Sequence, residues 1–204
     1  MAAREPYAGA SGPVSHSVHM KMNPETIKDI VKGKSISDAW PWNVVDKKSV
    51  IGHIKKCIAE INRKLNLKAK SEFNHYGSGY ASFVDCFFYS EAKSTKVNYA
   101  TTGYTGLIVL FSRLSNFYAY GEGDKTWHKT GGSSYLPHAD MVGSLKDIYN
   151  LQIIDKVNDL LAENGWQQLT KEYANQYLGF DISIPTILND PPFKVFDAIF
   201  YWED

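Results

Sequence analysis

The chain has 204 residues, enough for one domain with a substantial core. Its 22 basic and 22 acidic residues cancel, so the total charge offers no general attraction to nucleic acid or anionic membrane. No apolar run approaches the roughly 18 residues of a membrane-spanning helix, and the N-terminus lacks the apolar core of a secretory signal, which makes the cytoplasm the default compartment. Two cysteines, Cys57 and Cys86, are too few for a disulfide framework or a four-cysteine zinc site and read as reduced, buried, small hydrophobes.

In chain order, residues 1–21 are rich in small residues, Gly, Pro and Ser and have no hydrophobic period, as in a disordered leader or cloning remnant. A single domain is expected over 22–204. Asn23 followed by Pro24 marks a helix start, with Ile27, Ile30 and Val31 on one face and Gly33 as the stop. A long helix follows Asp46: Val50, Ile51, Ile54, Cys57, Ile58, Ile61 and Leu65 form an apolar stripe, and Lys47, Lys48, Lys55, Lys56 and Lys64 a solvated back. "YASFVDCFFYS", "TGLIVLFS" (105–112) and "SNFYAYGEG" (115–123) read as three antiparallel strands, with "GEGDK" as a turn leading into "TWH".

A second long helix is expected from Ser144, with Leu145, Ile148, Leu151, Ile154, Val157, Leu160 and Leu161 facing the core and Asn164 and Gly165 ending it. A short helix in "LTKEYANQY", an extended "ISIPTIL" and a last strand "KVFDAIFYW" complete the chain. The fold class is therefore α+β, an antiparallel sheet against two long and two short helices.

No catalytic signature stands out. Cys86 lies inside an aromatic strand rather than in the electropositive setting a reactive thiol needs, so a pair with His75 is not expected. "TGGSSY" lacks the Gly-Lys-Ser/Thr ending of a phosphate-binding loop. His128, His138 and Asp140 lack metal-ligand spacing, and neither a metal nor a cofactor is expected. An enzyme with a pocket around residues 128–140 remains the alternative reading, and a structural or phage-derived interaction protein a third.

Binding features are stronger. With 13 Tyr and 5 Trp, the chain is well supplied with side chains that work half-buried at interfaces. Residues 138–204 carry 11 acids against 4 lysines, whereas residues 1–75 carry 13 basic residues against 7 acids. In the expected last strand, Phe196, Phe200 and Trp202 alternate into the core. Asp197 and Tyr201 alternate outward, and Glu203 and Asp204 continue the charge. Asp197, Tyr201, Trp202, Glu203 and Asp204 are therefore the candidate partner-binding residues, joined to an acidic surface that includes the acids of the 144–164 helix.

The Gly165 and Trp166 pair after a long helix, the "IPTIL" segment and the closing "VFDAIFYWED" resemble immunity proteins of bacterial polymorphic-toxin, contact-dependent and type VI secretion systems. The resemblance covers about the last 60 residues. It implies a non-enzymatic protein that binds one cognate toxin and occludes its active site, a nuclease with a basic cleft being a common case. Nucleic acid and membrane are not expected partners.

Overall fold

The computed structural model describes residues 22–44, 46–128 and 131–204, so the expected leader at 1–21 lies outside the described residues. Helix α1 spans Pro24–Val31, and Asn23 Oδ1 accepts from the Thr26 N–H at 2.8 Å. Helix α2 spans Lys47–Leu65; Asp46 caps it by accepting from Lys48 N, and Asn66 ends it in the left-handed region at φ 52°. Both caps satisfy backbone groups that a helix end otherwise leaves unpaired. The expected lysine back of α2 is exposed, and its apolar stripe is buried at Val50, Ile54, Cys57, Ile58 and Ile61.

The strands are β1 (Lys68–Glu72), β2 (Tyr80–Ala81), β3 (Phe83–Tyr89), β4 (Thr95–Asn98), β5 (Thr101–Ser112) and β6 (Phe117–Trp127). After them come α3 (Ile148–Glu163), β7 (Gln167–Gln168), α4 (Lys171–Ala174), α5 (Val195–Ile199) and β8 (Trp202–Glu203). The main sheet has the order β1-β3-β5-β6-β7, and β4 pairs with the part of β5 that runs past the end of β3. Its pairs are antiparallel except β6 with β7, which is parallel, so the sheet is mixed rather than purely antiparallel. The α+β class holds, with five α-helices among the described residues.

The expected turn at "GEGDK" is absent. Glu122, Gly123 and Asp124 lie inside β6, opposite Leu107, Gly106 and Thr105. These glycines serve close packing: a Cβ on Gly121 would come 2.5 Å from Met141 O, and one on Gly123 would come 2.7 Å from Ile108 Cδ1.

Both faces of the sheet are buried. Val84, Cys86, Phe88, Leu107, Val109, Phe111 and Tyr118 meet α2, α3, Trp42 and Trp166 on one side. On the other, Phe83, Phe87, Ile108, Leu110, Phe117 and Ala119 meet α1, α5 and residues 139–142. The first layer holds a Trp-His cluster: the His53 ring stacks on Trp166 at 5.8 Å and pairs through Nε2 with Asn164 O at 2.9 Å. Trp166 Nε1–H donates to Cys57 Sγ at 3.3 Å.

Helix α3 starts three residues later than expected, on Asp147, whose carboxylate accepts from Tyr149 N and Asn150 N. Its buried side is Ile153, Ile154, Val157, Leu160 and Leu161 together with Asn150. Ile148 and Leu151, expected in the core, stand outside at 70% and 51% exposure because the helical period carries them to the opposite stripe.

The expected last strand is mostly a helix. All of Val195–Ile199 is buried as α5, Phe200 and Tyr201 follow at 0% and 2% exposure, and only Trp202–Glu203 is extended, paired with β2. Asp197 occupies the third position of α5, where its carboxylate accepts the Lys194 N–H at 2.7 Å, a local bond of helix starts that a strand does not make. Ser82, fully buried, anchors this end: its N–H donates to Tyr201 O, its hydroxyl to Ile199 O, and Tyr201 N–H donates back to it.

Two outcomes follow. Asp197→Ala leaves the half-buried Lys194 N–H and Asn189 amide donors without this acceptor and is expected to cost about 1–3 kcal/mol in urea unfolding. Burial holds the His53 imidazole below its ordinary pKa of 6.5, so the unfolded chain takes up the proton first. Stability is therefore complete above that pH and falls progressively as acid is added below it; in His53→Gln this acid-side loss is expected to shrink, as read by urea midpoints across the series.

Candidate functional site

In the apolar run of β3, Asp85 is the exception, a carboxylate 2% exposed on the face shared with Phe83 and Phe87. An uncompensated charge there would be costly. Three groups compensate it: Tyr135 O–H donates to Oδ1 at 2.6 Å, Tyr76 O–H to Oδ2 at 3.1 Å, and Lys125 Nζ stands 3.9 Å away. Burial pushes the Asp85 carboxyl above the usual range, while Lys125 and the two hydroxyls oppose that shift. The Tyr76 and Tyr135 hydroxyls are pushed far up by burial and by the adjacent carboxylate, which keeps both as proton donors.

The glycines of β5 and β6 make room for this node. A Cβ on Gly106 would lie 2.5 Å from the Phe87 ring, and one on Gly123 2.8 Å from the Tyr135 ring. The Lys125 ammonium sits 4.7 Å from the Tyr135 ring centre and 5.4 Å from that of Phe87. Tyr135 thus ties the mostly exposed segment 131–136 to the sheet.

Past the node, where β3 ends, the same face opens to solvent. Tyr89, Tyr104 and Trp127 are half-buried there, with ring centres 4.6, 5.0 and 4.7 Å apart. On the opposite side of the sheet, α3 presents Ile148, Leu151, Gln152, Asp155, Asp159 and Ala162 as one exposed stripe. These residues recur at helical spacing over about 21 Å.

Of the expected partner-binding residues, the structure leaves few at the surface. Asp197 and Tyr201 are buried at 4% and 2% exposure, and Tyr201 O–H donates to Ile30 O at 3.3 Å, so neither forms an open recognition face. Trp202 and Glu203 are half-buried, with Trp202 Nε1–H donating to Ser78 O at 3.3 Å. Asp204 is exposed. A strand with one wet face would have turned Asp197 and Tyr201 outward, whereas α5 and the residues after it are packed on every side.

Cys86 is fully buried, bonded to Ser71 at 3.1 Å, and its thiol is pushed up by burial; His75 instead accepts from Ala81 N–H, so the two do not form a pair. Asp140 is engaged by Lys194 Nζ at 3.2 Å, and no group of three or more His, Cys, Asp or Glu among the described residues could hold a metal. Sequence reasoning missed the Asp85 node, although a lone acid inside "SFVDCFF" was a readable signal. No protein-family model, curated protein or solved structure matches the chain.

Tyr135→Phe removes one donor from the buried carboxylate and is expected to cost about 1.5–3 kcal/mol near pH 8. Loss of that donor raises the Asp85 pKa further, so protonation relieves the defect as pH falls. The stability gap between variant and parent in urea unfolding should therefore narrow toward about pH 4.

Proposed function

We propose that this chain is an immunity-type protein that binds a cognate toxin and occludes its active site, with the outer stripe of α3 as the docking face. The exposure of Ile148 and Leu151 beside Asp155 and Asp159 carries the reading. Two apolar side chains supply anchors for a contact, and Asp155, Asp159 and Glu163, which outnumber the one exposed lysine of α3, Lys156, supply attraction to a basic partner. The resemblance at the C-terminal end points the same way. It implies neutralisation by covering a cleft, and an acidic helix face suits the basic cleft of a nuclease. Asp155, Asp159 and Glu163 are the part of the acidic excess of residues 138–204 that α3 carries.

A second reading, an enzyme working around residues 128–140, draws on Asp85, Tyr135 and Lys125. The 2% exposure of Asp85 weighs against it, because a reacting group needs access to substrate.

This reading expects a toxin gene adjacent to this one, and the test uses that gene. Co-expression should protect cells from the toxin, and the two products should co-purify. Leu151→Lys and Asp155→Lys should each weaken binding by about tenfold or more. Both positions are exposed, so the melting temperature should stay within about 2 °C of the parent. If cells carrying the toxin survive deletion of this gene, the immunity reading is wrong; if protection persists with both substitutions, the docking face lies elsewhere.

A further inference from the structure

The neutral total charge hides a local arrangement on the face of the sheet away from α3. Cross-strand partners share a face, so register alone places the relevant residues together. Lys68 stands opposite Tyr89 and Lys70 opposite Phe87; Tyr104 stands opposite Lys125; Thr102 stands opposite both Lys96 and Trp127. Tyr89, Tyr104 and Trp127 therefore form an aromatic platform bordered by Lys68 and Lys70 on β1 and by Lys96 on β4.

These three lysines are exposed, and none takes part in the ion pairs found among the described residues. Lys70 Nζ is 5.9 Å from the Trp127 ring centre, so its charge hangs at the platform edge. Lys125, cross-strand from Tyr104 on the same face, is committed to Asp85. Burial, then the neighbouring Tyr104 and Glu91, push the Tyr89 hydroxyl above its ordinary range.

We propose that this platform binds single-stranded nucleic acid without marked sequence preference. Half-exposed rings on one sheet face, tilted 57°, 41° and 69° to one another, stand beside ammonium groups without carboxylate partners; together they supply the two things such a ligand needs, ring surfaces against which bases stack and charges along a phosphate backbone. Every base has a π-face, so half-exposed Tyr and Trp rings are sequence-tolerant receptors. An acidic polypeptide satisfies the lysines but leaves the rings without stacking partners. A duplex keeps its bases stacked on one another and offers only phosphates. The site is separate from the α3 stripe and stands whether or not a toxin is bound there.

The probe is a fluorescein-labelled oligothymidylate of about twelve nucleotides, followed by fluorescence anisotropy with the full chain. Saturable binding is expected at about 50 mM salt, weakening steeply toward about 200 mM. A Lys68→Glu, Lys70→Glu, Lys96→Glu variant touches exposed side chains only and should fold as the parent does. It should bind at least about tenfold more weakly and show a log-log salt slope shallower by about 2, the share of three phosphate contacts. Tyr104→Ser, checked for an unchanged unfolding midpoint, should weaken binding by about tenfold without changing that slope. Absence of saturable binding at low salt overturns the proposal, as does unaltered binding by the triple variant. Equal competition by duplex DNA would show general attraction to polyanions, and equal competition by polyglutamate would assign the platform to an acidic protein; either result also overturns it.

Discussion

The fold depends on β3, β5 and β6 being covered on both faces at once. A half-exposed antiparallel sheet needs apolar residues at every second position, whereas here Phe83, Val84, Cys86, Phe87 and Phe88 are all buried, as are residues 107–111. One cover, α2 with α3, comes from two long helices of adequate apolar stripe. The other is assembled from short pieces far apart in sequence: α1, residues 139–142 and the C-terminal α5. This second cover needs more polar anchoring, and Ser82 provides it by taking up backbone groups of Ile199 and Tyr201.

The same constraint explains the two buried carboxylates. A short-piece cover leaves backbone N–H groups and connections that long helices would have satisfied internally, and each acid collects some of them. Asp197 gathers Lys194 N–H and the Asn189 amide at the start of α5. Asp85 gathers two tyrosine hydroxyls and, through Tyr135, fixes the segment that crosses the glycine floor of β5 and β6. Buried carboxylates and their partners are often replaceable together by apolar groups of equal shape at little cost. Their contribution is to specify one arrangement of loops that have few apolar contacts of their own.

Where a capping residue stands directly ahead of an apolar stripe, the sequence was legible. Asn23 with Pro24, and Asp46 ahead of an apolar stripe, encode α1 and α2 locally, and the central parts of β3, β5 and β6 follow from aromatic and β-branched runs, although β5 begins before the expected 105 and β6 runs on past the expected 123. Where burial is complete on every side, periodicity carries no information. "KVFDAIFYW" is apolar both at spacing two and at spacing four, so it read as a strand and folds as α5. The stripe of α3 was over-read for a related reason: it holds more apolar residues than its buried side can use, and Ile148 and Leu151 are the surplus. The Asp85 node was half visible. The lone acid could be seen, but its partners Tyr76 and Tyr135 lie 9 and 50 positions away, joined only by tertiary packing.

Charge distribution along the chain becomes meaningful once the layers are known. The basic surplus of the first third includes the outer face of α2 and the lysines of β1, and the acidic surplus of the last third includes the outer stripe of α3. Lysines on β1 have a structural use, since β1 is an edge strand and charge there discourages pairing with another chain. That use requires charge along the edge and nothing more. It does not account for Tyr89, Tyr104 and Trp127 left half-exposed on the neighbouring strands, where smaller polar residues would serve a sheet end equally well. Apolar rings held at a surface by register, beside cations without carboxylate partners, are better explained by a ligand that meets both than by solubility.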